Sequence, residues 1–132
     1  MEFLLDTNTC IYIIKQKPLH VFERFSALPL GAVGISSITL AELQFGVANS
    51  SQPDKNQAAL NHFLIPLDIL SFDAAASREY GKIRAQLEKA GNIIGSLDML
   101  IASHARSQHL ILVTNNVREF SRVQDLKIEN WV

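Results

Sequence analysis

The chain has 132 residues, of which 48% are hydrophobic and 19% are charged, and its 12 basic and 13 acidic side chains give a formal net charge of −1. These values predict one compact soluble domain, residues 1–132, that can bury a stable core without disulfides. A charge so close to neutral excludes nucleic-acid binding by the whole surface, so a nucleic-acid site has to concentrate its basic residues in one patch.

Residues that begin helices divide the first half of the chain. Asp6-Thr7-Asn8 supplies capping side chains directly after a short apolar run, and Pro18 suits the first position of a second helix. Ser37 or Thr39 can cap a third helix. The predicted order is strand 3–5, helix 7 to 14 or 15, helix 18 to about 29, strand 33–36, a helix that reaches at least residue 47, and helix 54 to about 63.

The second half begins with a predicted strand at 67–70. Asp73 is expected to cap a long helix that ends at Ala90, because Gly91 follows as a stop signal. Another helix, 97 to about 107, follows Gly95-Ser96. The run 110–113 has the most strongly apolar sequence of any predicted strand. The polar residues after it are interpreted as a turn that leads into a short tail.

The alternation of strands and helices indicates the fold class. Parallel strands need long crossover connections, which helices usually provide, so the order predicts an α/β fold with a parallel sheet covered on both faces. In open sheets of this kind, functional groups collect beyond the carboxyl ends of the strands. Chemistry is therefore expected at the turns that follow the strands.

Three acidic residues stand at or near such turns. Asp6 follows the first strand, Glu42 lies in the helix after the second, and Asp98 lies near the start of an otherwise apolar helix. Taken alone, each is an ordinary cap or solvated side chain, but the predicted fold gathers all three at one edge. Carboxylates that meet repel one another, and protonation or a hard divalent cation such as Mg²⁺ or Mn²⁺ relieves the repulsion. The sequence therefore favours metal-assisted hydrolysis.

Other chemistries have weaker support. Cys10 and the four dispersed histidines lack zinc-ligand spacing, no serine or cysteine stands in a recognisable nucleophile setting, and no glycine-rich loop follows the first strand. His104 and His109 are interpreted as surface or hydrogen-bonded histidines. A phosphatase is disfavoured because no second aspartate stands two residues after Asp6.

Four segments spread over nearly the whole chain carry polar residues in a distinctive order. They are 4–8, 35–43 with Gly46, 95–102 with His104-Ala105, and 113–120. This series, followed by a tail ending Glu129-Asn130-Trp131, resembles the PIN-domain ribonucleases, and most closely the VapC toxins of bacterial VapBC toxin–antitoxin modules. The resemblance implies a three-layer α/β/α fold with a mainly parallel sheet, and cleavage of RNA with Mg²⁺ or Mn²⁺ as cofactor.

The resemblance also implies roles for individual residues. Asp6, Glu42 and Asp98 would form the catalytic acid cluster, with Asp6 and Asp98 holding the metal. Many family members carry an aspartate after the last strand, where this chain has Asn115-Asn116, so Glu119 is a candidate for the fourth carboxylate. The residues expected to orient these carboxylates or a water are Thr7, Asn8, Thr114 and Asn116.

Partners follow from the same resemblance. The substrate is expected to be structured RNA, especially tRNA, and the nearest enterobacterial relatives favour the anticodon stem-loop of the initiator tRNA. Basic residues that are candidates to contact it are Lys82, Arg84, Arg106, Arg118 and Arg122. A homodimer and a VapB-type antitoxin are expected, with DNA contacted only through the antitoxin. Apolar helix residues predicted to bind the antitoxin are Ile11, Tyr12, Ile14 and Phe45.

The sequence also predicts a compartment. A single cysteine forms no internal disulfide, and the start of the chain lacks the positively charged region of a signal peptide. The longest apolar runs are far shorter than a membrane span. A cytoplasmic protein without a membrane segment is therefore expected.

A noncatalytic PIN-like module that binds RNA or protein is the alternative interpretation. The absent aspartate after the last strand favours it. RNA cleavage that stops on chelation and returns with Mg²⁺ would distinguish the enzyme from the module.

Overall fold

The computed structural model describes all residues 1–132 and arranges them around five parallel strands. The strands are β1 (Phe3–Leu5), β2 (Val33–Ser36), β3 (Asp68–Leu70), β4 (Ile111–Val113) and β5 (Ile128–Glu129). Their spatial order is β3-β2-β1-β4-β5. β1 is central, because Leu4 pairs with Gly34 on one side and with Leu112 on the other. The predicted α/β fold with a mainly parallel sheet is confirmed.

Helices cover both faces of this sheet. They are α1 (Thr7–Lys15), α2 (Leu19–Ser26), α3 (Ser37–Ala48), α4 (Pro53–Leu64), α5 (Ala74–Ala90), α6 (Ser96–Ser107) and α7 (Val117–Phe120). Phe3 and Leu5 point into a core shared with α1 to α4, whereas Leu4 points into a second core shared with α5 and α6. Side chains alternate across a strand, so one short apolar strand supplies both cores. The result is the expected three-layer arrangement.

Most helix ends follow the predicted capping signals. The side chains of Asp6 and Asp73 accept backbone N–H groups at the starts of α1 and α5, and Gly91 ends α5 with φ +69°. The cap of α3 and both ends of α2 differ from the prediction. Ser36, rather than Ser37 or Thr39, caps α3. α2 begins one residue later than predicted, because Pro18 is extended, and it ends at Ser26, about three residues before the predicted end near Pro29.

Two elements were not predicted. α7 is a single turn and β5 has two residues, so neither is long enough to show a hydrophobic period. Backbone pairing forms β5, where the Thr114 N–H donates to the Glu129 carbonyl at 3.0 Å. No helix combines the length and the apolar character needed to cross a lipid bilayer.

Candidate active site

Asp6 directly follows the central strand β1 and lies beside the end of β4. Its backbone N–H donates to the carbonyl of Val113 at 3.0 Å, and its side chain is buried. Oδ1 accepts the backbone N–H of Thr9 at 2.8 Å, and the Thr9 hydroxyl donates to the Val113 carbonyl at 3.2 Å. The start of α1 is thereby fixed to the end of β4. The cap uses Oδ1, which leaves Oδ2 available to a ligand.

Glu42 reaches the same region from α3. Its Oε1 accepts a hydrogen bond of 2.6 Å from the hydroxyl of Thr7, the residue that follows Asp6. The glutamate is half-buried, and Thr7 holds it through one oxygen only. Thr7 therefore holds Glu42 through Oε1 and leaves Oε2 free.

Asp98 and Glu119 complete the group from α6 and α7. The pKa of Asp98 is raised to about 6, first by burial and then by a hydrogen bond with Glu119. The negative charges of Glu119, Asp6 and Glu42 contribute the rest of this rise. Glu119, Asp6 and Glu42 therefore all lie within electrostatic reach of Asp98, although the four carboxylates come from different parts of the chain.

A short hydrogen-bond relay supports Glu119. Thr114 is fully buried at the end of β4, and its hydroxyl oxygen accepts the backbone N–H of Asn116 at 2.9 Å. Nδ2 of Asn116 donates to Oε2 of Glu119 at 2.9 Å. Thr114 thus positions Asn116, and Asn116 in turn holds the carboxylate of Glu119. Asn8, which was grouped with them, is exposed on α1.

The donor set fits a hard divalent cation. Asp6 and Glu42 each accept a hydrogen bond through one oxygen and leave the second to a ligand, whereas Glu119 interacts with both Asn116 and Asp98. No three His, Cys, Asp or Glu side chains converge closely enough to enclose a metal by themselves. Mg²⁺ rarely needs such a cage, since it usually keeps several waters and binds one or two carboxylates together with substrate phosphate. The all-oxygen site therefore fits Mg²⁺ or Mn²⁺ and lacks the ligands that zinc prefers.

Thiol chemistry is disfavoured at this site. Cys10 is fully buried in α1, and burial, followed by the negative charge of Asp6, raises the pKa of its thiol. A thiol with a raised pKa is a poor nucleophile because little thiolate forms. Cys10 is a core residue.

The predicted RNA-binding residues differ in whether their basic groups are already hydrogen-bonded within the protein. Nε and Nη2 of Arg106 donate to Oε2 of Glu79 at 2.8 and 2.5 Å, and Nη1 donates to the Gln124 carbonyl at 3.1 Å. The Glu79 pKa is lowered, first by this hydrogen bond. The prediction that Arg106 presents charge to RNA is therefore corrected, because its donors are already used in tying α6 to α5 and to the C-terminal segment.

The other basic residues are less constrained. Arg84 bonds Glu88 and Tyr80 along the exposed face of α5, and Nη1 of Arg122 donates to the carbonyl of Ile93 at 3.2 Å. Lys82 is exposed, with Nζ 3.9 Å from Glu79. Arg118 is exposed beside Glu119 in α7 and takes part in none of the ion pairs. Arg118 is therefore the free cation nearest in sequence to the acid cluster.

Two apolar depressions flank α1. One of about 590 Å³ lies between α1, α2 and α4, and another of about 340 Å³ lies between α1, α3 and α4. Ile11, Ile14 and Val47 line the smaller one, which we call the α3 groove, and Glu42 is also part of its wall. An apolar groove therefore leads to the acid cluster.

Tyr12 and Phe45 lie outside both depressions. Successive helix residues are rotated by about 100°, so Tyr12 faces away from the groove that Ile11 lines. Its hydroxyl accepts a 2.8 Å hydrogen bond from Nδ2 of Asn115, directly after β4. Phe45 is 69% exposed on α3. Neither Tyr12 nor Phe45 lines the α3 groove with Ile11 and Ile14, and antitoxin binding by these four residues stays a prediction. The contact of Tyr12 with Asn115 was not predicted, because the two residues are 103 positions apart.

Known proteins match this chain over almost its full length. The PIN domain family model matches residues 3–126. The tRNA(fMet)-specific endonuclease VapC of Shigella flexneri is 49% identical over 131 residues, which cover 99% of this chain and 98% of the relative. Ribonuclease VapC2 of Haemophilus influenzae (strain ATCC 51907 / DSM 11121 / KW20 / Rd) is 46% identical over 132 residues, covering 100% of this chain and 99% of the relative.

Solved structures agree. The chain superposes on VapBC2 from Rickettsia felis bound to a promoter DNA fragment with a TM-score of 0.94 and 43% identity, covering 100% of both chains. DNA-bound VapBC from Salmonella typhimurium gives a TM-score of 0.94 and 45% identity over 100% of this chain and 99% of that one. Because the family model and the relatives span nearly the whole chain, this protein belongs to the PIN-domain family and, within it, to the VapC ribonucleases.

Proposed function

We propose that this protein is a toxin endoribonuclease that cleaves the initiator tRNA, requires Mg²⁺ or Mn²⁺, and is neutralised by a VapB-type antitoxin. The observation that carries the proposal is the 2.6 Å hydrogen bond from Thr7, the residue after Asp6, to Glu42, which brings side chains of two elements together beyond the end of β1. The raised pKa of Asp98, to which the charges of Glu119, Asp6 and Glu42 contribute, supports the inclusion of Asp98 and Glu119 in the same site. Relatives from Shigella flexneri and Salmonella typhimurium are named tRNA(fMet)-specific endonucleases, which supports this substrate. Loss of initiator tRNA would stop translation.

The residues divide the work of phosphodiester hydrolysis. Asp6 and Asp98 are the residues that would hold the cation, which when bound supplies positive charge to offset the charge that develops on the phosphate. Glu42, oriented through Oε1 by Thr7, uses Oε2 to orient the attacking water and accept its proton. Glu119, oriented by Asn116, takes the place of the aspartate that many family members carry after this strand.

RNA binding is assigned to the charges that the fold leaves free. Arg118 is exposed beside Glu119, and it therefore pairs with a phosphate next to the bond that is cut. Lys82, Arg84 and Arg122 form a more distant set of phosphate contacts. Arg106 is not assigned to RNA binding because its guanidinium is already paired with Glu79.

The partners are a VapB-type antitoxin and a second copy of the chain. Similar chains were solved as VapBC complexes with DNA from Rickettsia felis and Salmonella typhimurium, which supports an antitoxin that also binds DNA. The α3 groove, with Ile11 and Ile14 in its lining, suits an apolar antitoxin segment. The toxin contacts DNA only through that antitoxin.

The decisive experiment is cleavage of purified initiator tRNA by the antitoxin-free protein. We expect a defined cut with Mg²⁺, none with a chelator, and recovery when Mg²⁺ is restored. Asp98→Asn should lower the rate by at least about 100-fold, since it removes a charge that the transition state needs. Asp68→Asn, which changes an exposed aspartate on edge strand β3, is the matched control and should cut normally.

The same assay addresses the noncatalytic alternative and the substrate. Elongator methionine tRNA, which carries the same amino acid in a different tRNA body, should remain intact. Binding of RNA without any cut, unaffected by the chelator, would favour a noncatalytic module. Equal cleavage of both tRNAs would reject the proposed specificity while leaving the nuclease in place.

A further inference from the structure

His104 is fully buried on α6, the helix that also carries Asp98, and its ring faces the end of β2. Nδ1 of its ring lies 2.7 Å from Oγ of Ser36, and the ring of Phe72 meets it edge to face at 5.5 Å between centroids. No protein atom bonds Nε2. The contact with Ser36 is therefore the only side-chain hydrogen bond that the imidazole makes within the chain.

Ser36 connects this histidine to a second helix. Its Oγ also accepts the backbone N–H of Ile38 at 3.1 Å and so caps the N-terminus of α3. Glu42 lies six residues further along, which is less than two turns of the same helix. A displacement of the first turn of α3 therefore moves the carboxylate of Glu42.

The other end of the connection carries another member of the acid cluster. Asp98 and His104 belong to the same helix, separated by six residues of continuous α6. Cores are close-packed, so a rigid helix transmits a shift at one end to the other. One buried hydrogen bond thus joins the two helices that supply Glu42 and Asp98.

We propose that His104 is a positioning residue for catalysis, which sets the distance between Glu42 and Asp98 by tying α6 to the capping residue Ser36 of α3. The proposal rests on the proposed nuclease function. His104 itself touches neither substrate nor any carboxylate of the cluster; it acts through Ser36. The effect falls on the turnover step, because the exposed cations that bind RNA lie elsewhere.

Substitutions of His104 that place a polar atom at different points can show whether the residue positions Ser36 or only fills space in the core. His104→Leu keeps about the same volume and removes the hydrogen bond. His104→Asn can place an amide where Nδ1 lies, whereas His104→Gln reaches toward the position of Nε2. A residue that only fills the core would tolerate leucine best. A positioning residue should be rescued by asparagine alone.

The test measures steady-state cleavage of initiator tRNA and native-state hydrogen exchange for wild type and the three variants. We expect kcat to fall about 10- to 100-fold in His104→Leu and His104→Gln, with KM within about twofold, because small misplacements of reacting groups cost rates of this size. His104→Asn should recover most of the rate. Amides of α3 around Glu42 should exchange faster in His104→Leu and return to wild-type rates in His104→Asn.

Each result has a defined meaning. Wild-type kcat in a folded His104→Leu variant, or equal kcat values for His104→Asn and His104→Gln, would overturn the proposal. If His104→Leu does not fold, the asparagine and glutamine variants decide the question. If wild type cuts no RNA but the exchange pattern is as expected, the nuclease assignment fails while the connection between the helices stands. Unchanged amide exchange around Glu42 in His104→Leu would show that His104 does not stabilise this part of α3.

Discussion

The hydroxyl of Thr7 donates a 2.6 Å hydrogen bond to Oε1 of Glu42, which joins the first turn of α1 to the middle of α3. Thr7 directly follows Asp6, whose own carboxylate caps the same helix. One turn of α1 therefore fixes two carboxylates that reach the site from different elements. Their relative position depends on this turn more than on the loops around it.

The first prediction concerns that hydrogen bond. Thr7→Val keeps the shape of the side chain and removes the donor, so Glu42 loses its orientation. A hydrogen bond to a charged group contributes about 1.5–3 kcal/mol, so we expect kcat for RNA cleavage to fall by about tenfold or more. Thr7→Ser retains the donor and should keep most of the rate. Similar losses in both variants would mean that the methyl group, and not the hydroxyl, is what matters.

The second prediction is a pH dependence of stability. The ordinary pKa of an aspartate is 3.8, and that of Asp98 in the folded chain is about 6. Between these values the native protein keeps a proton that the unfolded chain has lost, so the free energy of unfolding contributed by Asp98 falls as pH rises from about 4 to about 6. The penalty is then fully present at pH 7. Metal-free protein should therefore gain stability from Asp98→Asn at neutral pH.

The expected gain at pH 7 is about 1–2 kcal/mol. A shift of roughly two pKa units corresponds to about 3 kcal/mol, and solvent screening at a half-buried site reduces it. Chemical denaturation of wild type and Asp98→Asn with a chelator, at pH 4 and pH 7, measures the difference. It should vanish at pH 4. A variant that is less stable than wild type at pH 7 would contradict the repulsion inferred for the cluster.

The third prediction separates two arginines that look equivalent in the sequence. Arg106→Gln leaves Glu79 without its partner and should lower the free energy of unfolding by about 1–3 kcal/mol, with little change in RNA affinity per folded molecule. Arg118→Gln removes an exposed charge and should leave stability unchanged. It should weaken RNA binding and reduce the salt dependence by about one phosphate contact. Denaturation and binding at two salt concentrations test both, and an unaltered salt slope in Arg118→Gln would remove it from the interface.

Much of the fold was predictable because short local sequence patterns determine where its strands and helices begin and end. Short apolar runs, Asp6 and Asp73 as caps, and Gly91 as a stop signal place most elements within one or two residues of where they lie. The positions of the carboxylates relative to the strands led to the prediction that they share one edge of the sheet, because parallel sheets bring the carboxyl ends of neighbouring strands to one edge. The structure adds the contact between Thr7 and Glu42 and the influence of Asp6, Glu42 and Glu119 on Asp98.

Contacts between distant segments were not predictable in this way. Whether Arg106 is free depends on Glu79, which lies 27 residues away on another helix, and the direction of Tyr12 was decided by its bond to Asn115. β5 is a strand because its backbone hydrogen-bonds to that of β4 and Thr114. These are properties of tertiary packing, and no periodicity in the sequence reports them.

The fourth prediction concerns the α3 groove. Ile14→Asp places a charge in its apolar lining and should weaken binding of a VapB-type antitoxin by at least about tenfold, since one buried apolar side chain contributes about 1.5–3 kcal/mol. Tyr12→Phe, which follows the groove residue Ile11 in sequence but lies outside the groove, should bind normally. Calorimetric titration with thermal melts of both variants measures this. Normal antitoxin affinity in a folded Ile14→Asp variant would show that the antitoxin binds another surface.

The last prediction links antitoxin and metal. Glu42 forms part of the wall of the α3 groove, so a segment docked there lies beside the carboxylates. A basic side chain in that segment, best an arginine that can bond a carboxylate through two N–H groups, would compete with Mg²⁺ for the same negative charge. Competing ligands weaken each other reciprocally, so apparent antitoxin affinity should fall as Mg²⁺ rises.

Calorimetry over a Mg²⁺ series at constant ionic strength separates this competition from general screening, which weakens every charged complex. An antitoxin with that arginine changed to glutamine should bind more weakly and lose the Mg²⁺ dependence. Asp98→Asn toxin should also show a smaller dependence, because it binds the metal less well. If affinity stays constant while Mg²⁺ demonstrably occupies the free toxin, the antitoxin inhibits by covering the RNA path and leaves the metal in place.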